Sequence, residues 1–163
     1  SVNYKGPIFL RLGKQGEPLI NDTEAEFKIG KAIRIKEGED ITLISTGNTL
    51  EIANTVTENL NSKNIKASLI SMHTVKPLDE KAVFEILKKG KPLFTLEEHS
   101  LIGGLGSAVA DIISQSEFNP VFRKYGTEDK FSHYVGGHDY IREKFGLTSE
   151  KITENILNVL KKN

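Results

Sequence analysis

An apolar run, Pro92-Leu93-Phe94-Thr95-Leu96, leads directly into Glu97-Glu98-His99-Ser100-Leu101-Ile102. A glycine-rich step, Gly103-Gly104-Leu105-Gly106, then opens Ser107-Ala108-Val109-Ala110-Asp111-Ile112-Ile113. The first run lacks polar alternation, as a strand buried on both faces does. The last places its apolar residues at helical spacing. The order strand, tight turn, helix is half of a crossover unit. Acidic and imidazole side chains then end the strand, where open α/β sheets place ligand or partner contacts.

The rest of the chain repeats this alternation. Ala32-Ile33-Arg34-Ile35 reads as a half-exposed edge strand, Glu37-Gly38-Glu39-Asp40 as a turn, and Ile41 to Gly47 as a buried strand. An edge strand followed so closely by a central one predicts a hairpin, hence one antiparallel strand. A helix is expected over 49–62, with Ile52, Ala53, Val56 and Leu60 on one face, and a strand over 67–72. Pro77 is expected to start a helix that Gly90 stops, and Val121 to Tyr125 is the last strand. Two helical pieces close the chain, Asp139 to Phe145 and a stretch capped by Thr148. The predicted fold is a three-layer α/β/α sandwich around a mainly parallel five-stranded sheet with one antiparallel strand. Residues 1–30, broken by Gly13, Gly16 and Pro18, are expected to form an arm, and 31–163 the domain.

Composition narrows the function. The 163 residues suffice for one core. Lys and Arg number 22, as do Asp and Glu, so no basic field draws nucleic acid or an anionic membrane. Without cysteine there are no disulfides and no thiolate metal sites. No apolar run is long enough to span a bilayer and no secretory signal is visible, so a cytoplasmic chain is expected. The sole methionine is Met72, and Ile8-Phe9-Leu10-Arg11-Leu12 is strand-like with no sheet of its own. A piece of a longer protein is the expectation.

Each candidate site residue has a functional and a structural reading. Backbone N–H groups at Gly103, Gly104 and Gly106 would attract an anion at a helix start, but the spacing is neither Gly-x-Gly-x-x-Gly nor a Walker loop. A tight turn with close packing is the preferred reading. Glu97, Glu98 and His99 could form an acid–base cluster. On a strand, however, Glu97 and His99 face one side and Glu98 the other. Fixing the strand end against a neighbouring domain or subunit is preferred for them. His73 belongs to a loop, and His133 and His138, five apart, match no zinc signature. Metal ligation is not expected. Asp79 and Glu80 read as carboxylates favouring a helix dipole. In the arm, Arg11 lies opposite Leu10 and Leu12, and Lys14 follows a glycine that would let backbone approach a pocket. From residues alone Lys14 is a solvated loop lysine or an anion contact.

Glu-Glu-His-Ser, Gly-Gly-Leu-Gly-Ser-Ala and His73-Thr74-Val75-Lys76-Pro77-Leu78-Asp79 together resemble the C-terminal domain of transketolase-type enzymes. Within that group the chain most resembles the separately encoded C-terminal half of split transketolases. Gly6 to Lys14 resembles the end of the preceding pyrimidine-binding domain and its exit. The resemblance implies transfer of a two-carbon ketol unit between sugar phosphates. In this family an arginine just past that strand contacts the substrate phosphate, and Lys14 falls at the matching place, a point charge in place of a planar fork. Arg11 and Lys14 are thus candidate substrate-binding residues, and no catalytic residue is assigned.

Thiamine diphosphate and Mg²⁺ would be bound by a missing N-terminal portion. The chain has no Gly-Asp-Gly…Asn-type segment, no glutamate for the aminopyrimidine and no aromatic pocket for that ring. It is therefore expected to be inactive alone, serving subunit contacts and shaping the substrate entrance in a homodimeric complete enzyme. Alternatives are the corresponding domain of a 1-deoxyxylulose-5-phosphate synthase or a 2-oxoacid dehydrogenase beta subunit, or a non-catalytic interaction module. The tail wording Phe145-Gly146-Leu147-Thr148 resembles transketolase more, whereas Phe131 to Gly137 departs from the usual transketolase tail.

Overall fold

A computed structural model describes residues 4–13, 16, 18–21 and 24–162. Its strands are β1 (Ile33–Lys36), β2 (Ile41–Ser45), β3 (Ala67–Ser71), β4 (Leu93–Ser100) and β5 (Phe122–Thr127). Its helices are α1 (Leu50–Asn61), α2 (Glu80–Leu87), α3 (Leu105–Ser114), α4 (His138–Lys144) and α5 (Ser149–Leu160), with a 3-10 turn over Gly47–Thr49. The five strands form one sheet in the order β1-β3-β2-β4-β5. β2 runs parallel to β3 and β4, and β4 to β5, while β1 is antiparallel to β3.

Every residue of β2 and β3 is buried, as unalternated central strands require. One face of the sheet packs Leu43, Leu69, Phe94 and Leu96 against Ala53, Val56 and Leu60 of α1 and Ile152 and Ile156 of α5. The other packs Ile44, Ile70 and Leu93 against Val83, Ile86 and Leu87 of α2 and Leu105 and Val109 of α3. The expected three-layer sandwich is therefore present. Thr148 caps α5, its side chain accepting from Lys151 N.

Two expectations are corrected. β1 is the antiparallel edge strand, but it makes no hairpin with β2, because β3 lies between them. The turn after β1 crosses the start of β3: Asp40 N donates to Lys66 O, and Asp40 Oδ2 accepts from Lys66 N. A Cβ on Gly38 would lie 2.3 Å from the Ala67 carbonyl carbon, so only glycine permits that crossing. The second correction concerns Pro77, which does not start α2. It packs against Gly30, and the helix begins at Glu80. Asp79 is the N-cap, its Oδ1 accepting from Ala82 N while Oδ2 accepts from Ala32 N. That one carboxylate ties the start of α2 to the entry of β1.

Ile8 to Leu12 is in no strand, and the arm exposes Phe9, Leu12 and Leu19 at 92, 76 and 86 %. No helix among the described residues is long and apolar enough to cross a membrane.

Candidate functional site

β4 extends through Ser100, so the acidic and imidazole residues lie on the strand and alternate as expected. Glu97 is 2 % exposed and points toward α3. Its Oε2 accepts from Leu105 N and its Oε1 from Gly106 N, both at 2.7 Å. These are orphan donors of the first turn of α3, and the carboxylate also meets the positive end of the helix dipole. The glycines make that approach possible. A Cβ on Gly104 would sit 1.9 Å from Glu97 Oε2 and 2.9 Å from His99 Nδ1. One on Gly106 would meet the Lys124 side chain at 2.6 Å. Gly103 has φ +82 and open space beside it, so it serves the turn. The anion at this helix start is thus supplied by the chain itself, and the turn is closely packed.

Glu98 faces the opposite side. Its Oε1 lies 2.5 Å from His138 Nε2, and its Oε2 accepts from Arg142 Nη2 at 3.3 Å. Its backbone carbonyl accepts from Arg11 Nη1 at 3.2 Å. Burial pushes the Glu98 carboxyl up, but hydrogen bonds from His138 and Asn48 and the charges of Arg142 and His138 outweigh it and hold it below the ordinary value. One residue thus joins the end of β4, the arm and α4. Beside it lies a cleft of about 380 Å³, lined by Gly47, Asn48, Glu51, His138, Asp139 and Arg142 together with arm residues. It occupies the carboxyl ends of β2 and β4, where the strand order reverses.

The other histidines are scattered. His99 is exposed, with Nδ1 2.9 Å from the Ser100 carbonyl. The His73 ring stacks on Phe27 at 3.9 Å, and its Nδ1 lies 3.0 Å from Thr74 Oγ1. Burial lowers the His73 pKa, partly opposed by a hydrogen bond to the Lys31 backbone. His133 is exposed. Lys14 lies outside the described residues.

Glu98 and Arg11 are therefore brought together, while Glu97, His99 and the glycines form a separate packing unit. Sequence reading missed Asn48 and Arg142 as partners of Glu98. Their only signal was His138 and Arg142 standing four apart, on one face of α4.

Among the described residues no group of three or more His, Asp and Glu could hold a metal ion. In the glycine turn, Leu105 N and Gly106 N are engaged by Glu97, and Gly103 N donates to Ser107 Oγ. The described residues thus do not fit Mg²⁺ with a diphosphate.

Residues 30–152 match the family model described as transketolase, C-terminal domain. Over 99 % of its length the chain is 38 % identical to a Methanocaldococcus jannaschii protein named as a transketolase C-terminal section, covering 50 % of that protein. Over 91 % it is 39 % identical to a 6-deoxy-6-sulfo-D-fructose transketolase subunit of Clostridium sp. strain MSTE9, covering 46 % of it. Among solved structures, a split-gene transketolase described as an inactive beta4 tetramer superposes with a TM-score of 0.79 at 31 % identity, over 90 % of this chain and 46 % of that one. The chain spans about half the length of the curated relatives it matches.

Proposed function

The chain belongs to the transketolase C-terminal-domain family, and from that premise we propose that it is the C-terminal portion of a thiamine diphosphate-dependent transketolase-type enzyme. The complete enzyme transfers a two-carbon ketol unit from an anionic ketose to an aldose. This portion docks an N-terminal portion that binds thiamine diphosphate and Mg²⁺, shapes the substrate entrance and catalyses nothing alone. The complete enzyme is a homodimer and works in the cytoplasm. Residues 1–30 are the arm that docks, and 31–163 the domain behind it.

The observation that carries this reading is the arm. Phe9, Leu12, Leu19 and Phe27 are exposed at 92, 76, 86 and 63 % beside a well-formed core, as expected of a surface that meets another domain. Relatives about twice as long support the same reading. Glu98 holds the arm by its carbonyl and α4 by its carboxylate, so it sets the geometry of the docking edge. Glu97, His99, Gly103, Gly104 and Gly106 keep the adjoining turn rigid against the neighbouring domain or subunit.

Arg11 and Lys14 contact the donor's anionic group. A lysine point charge suits a phosphate, and equally a sulfonate such as the Clostridium relative's name implies. The test offers the chain, combined with the cofactor-binding polypeptide, xylulose 5-phosphate, 6-deoxy-6-sulfofructose and pyruvate in separate assays. Ketol transfer from either sugar is the expected result. Turnover of pyruvate alone would move the chain to the synthase or dehydrogenase relatives. Lys14→Ala is expected to raise KM for the sugar about tenfold with kcat little changed, the loss of one charge-assisted contact.

A further inference from the structure

On the far side of the sheet from the glycine turn, β5 and α5 flank a groove of about 570 Å³. Arg123 and Tyr125 line it from β5, and Asn155, Asn158 and Lys162 from α5 and the turn after it. The last three stand at i, i+3 and i+7, one stripe of the helix. Lys124 also borders the groove, but its ammonium donates to Leu101 O at 2.6 Å. No carboxylate lines the space among the described residues.

These side chains are largely unused. Arg123 donates one Nη1 bond, to Phe122 O, and the Asn155, Asn158 and Lys162 side chains have no partner among the described residues. The Tyr125 hydroxyl is buried and has none either. A buried hydroxyl without a partner costs free energy, so its place in the groove calls for one. Burial pushes its pKa up to about 12, with Arg123 partly opposing, so it is a donor at neutral pH.

We propose that the groove between β5 and α5 is a binding site for a small phosphoryl-bearing molecule, its anion held by Arg123 and Lys162 and bonded by Tyr125, Asn155 and Asn158. Val159 supplies an apolar floor for the rest of the ligand. Two cations with no opposing carboxylate select an anion, and the volume suits a small organic molecule. An acidic peptide strand is the rival occupant, because β5 is an edge strand. The lining disfavours it: Asn155, Asn158 and Lys162 come from α5 and the turn after it, so the unused groups are not those of the β5 edge alone. Lys162 also stands just past the C-terminus of α5, where a cation favours the helix dipole, but that placement by itself would need neither Arg123 nor Tyr125.

The site is independent of the docking arm and is tested on the 163-residue chain by amide NMR. Inorganic phosphate and phenyl phosphate are titrated at constant ionic strength. Saturable shifts confined to residues 123–125 and 155–162 are expected, with phenyl phosphate binding more tightly. Tyr125→Phe, which removes only the hydroxyl, should weaken binding roughly three- to tenfold. Arg123→Ala should abolish it while leaving the remaining amide spectrum unchanged. Non-saturating shifts spread over surface lysines, unaltered binding in both variants, or response only to a glutamate-rich peptide would each overturn the proposal.

Discussion

Gly104→Ala is expected to destabilise the chain by about 3–5 kcal/mol, lowering Tm by roughly 10 °C in a thermal melt. The added methyl would occupy the position of Glu97 Oε2, 1.9 Å away, and crowd His99 Nδ1 at 2.9 Å. Glu97 cannot swing out to water from a site where it is 2 % exposed, so its carboxylate loses the two N–H groups that compensate its burial. Gly103→Ala is the control. Its φ is +82 but its Cβ would meet nothing, so only backbone strain of about 1–2 kcal/mol is added. Equal losses in the two variants would mean that the turn, and not the buried carboxylate, sets the requirement for glycine.

The second large effect is on association. The double variant Phe9→Asp, Leu12→Asp should weaken binding to the cofactor-binding polypeptide by at least about 30-fold, as loss of apolar anchors at an interface centre does. The chain's own Tm should be unchanged, because both side chains are already exposed at 92 and 76 %. Calorimetric titration and a melt on the same sample separate the two. A fall in Tm with unaltered affinity would place the arm in the fold and remove it from the interface.

The architecture was legible wherever hydrophobic patterning alone decides it. β2, β3 and the buried start of β4 read as unalternated apolar runs because helices cover both their faces. Thr148 was legible as a cap because its role is local. The hairpin expectation failed because strand order depends on what the turn crosses. Gly38 lying on the Ala67 backbone is a contact between residues almost thirty apart, which no local pattern reports. Pro77 misled for a similar reason. Its ring packs on Gly30, and the capping carboxylate of Asp79 two residues later is what begins α2.

The candidate site divides in the same way. Alternation along β4 correctly separated Glu97 and His99 from Glu98, since side-chain period follows from strand geometry alone. It could not supply their partners. Glu97 looked like one member of an acidic pair, but its role is to satisfy the first turn of α3. Glu98 gains its significance from His138 and Arg142, some forty residues on. A buried arginine is visible only once α4 has been laid across the end of the sheet.

The measurement that bears most directly on the central claim is ketol transfer by three samples: this chain alone, the cofactor-binding polypeptide alone, and the two combined, each with thiamine diphosphate, Mg²⁺, an anionic ketose donor and an aldose acceptor. Turnover only in the combined sample is the predicted result. Turnover by this chain alone, or equal turnover by the cofactor-binding polypeptide without it, would contradict the account.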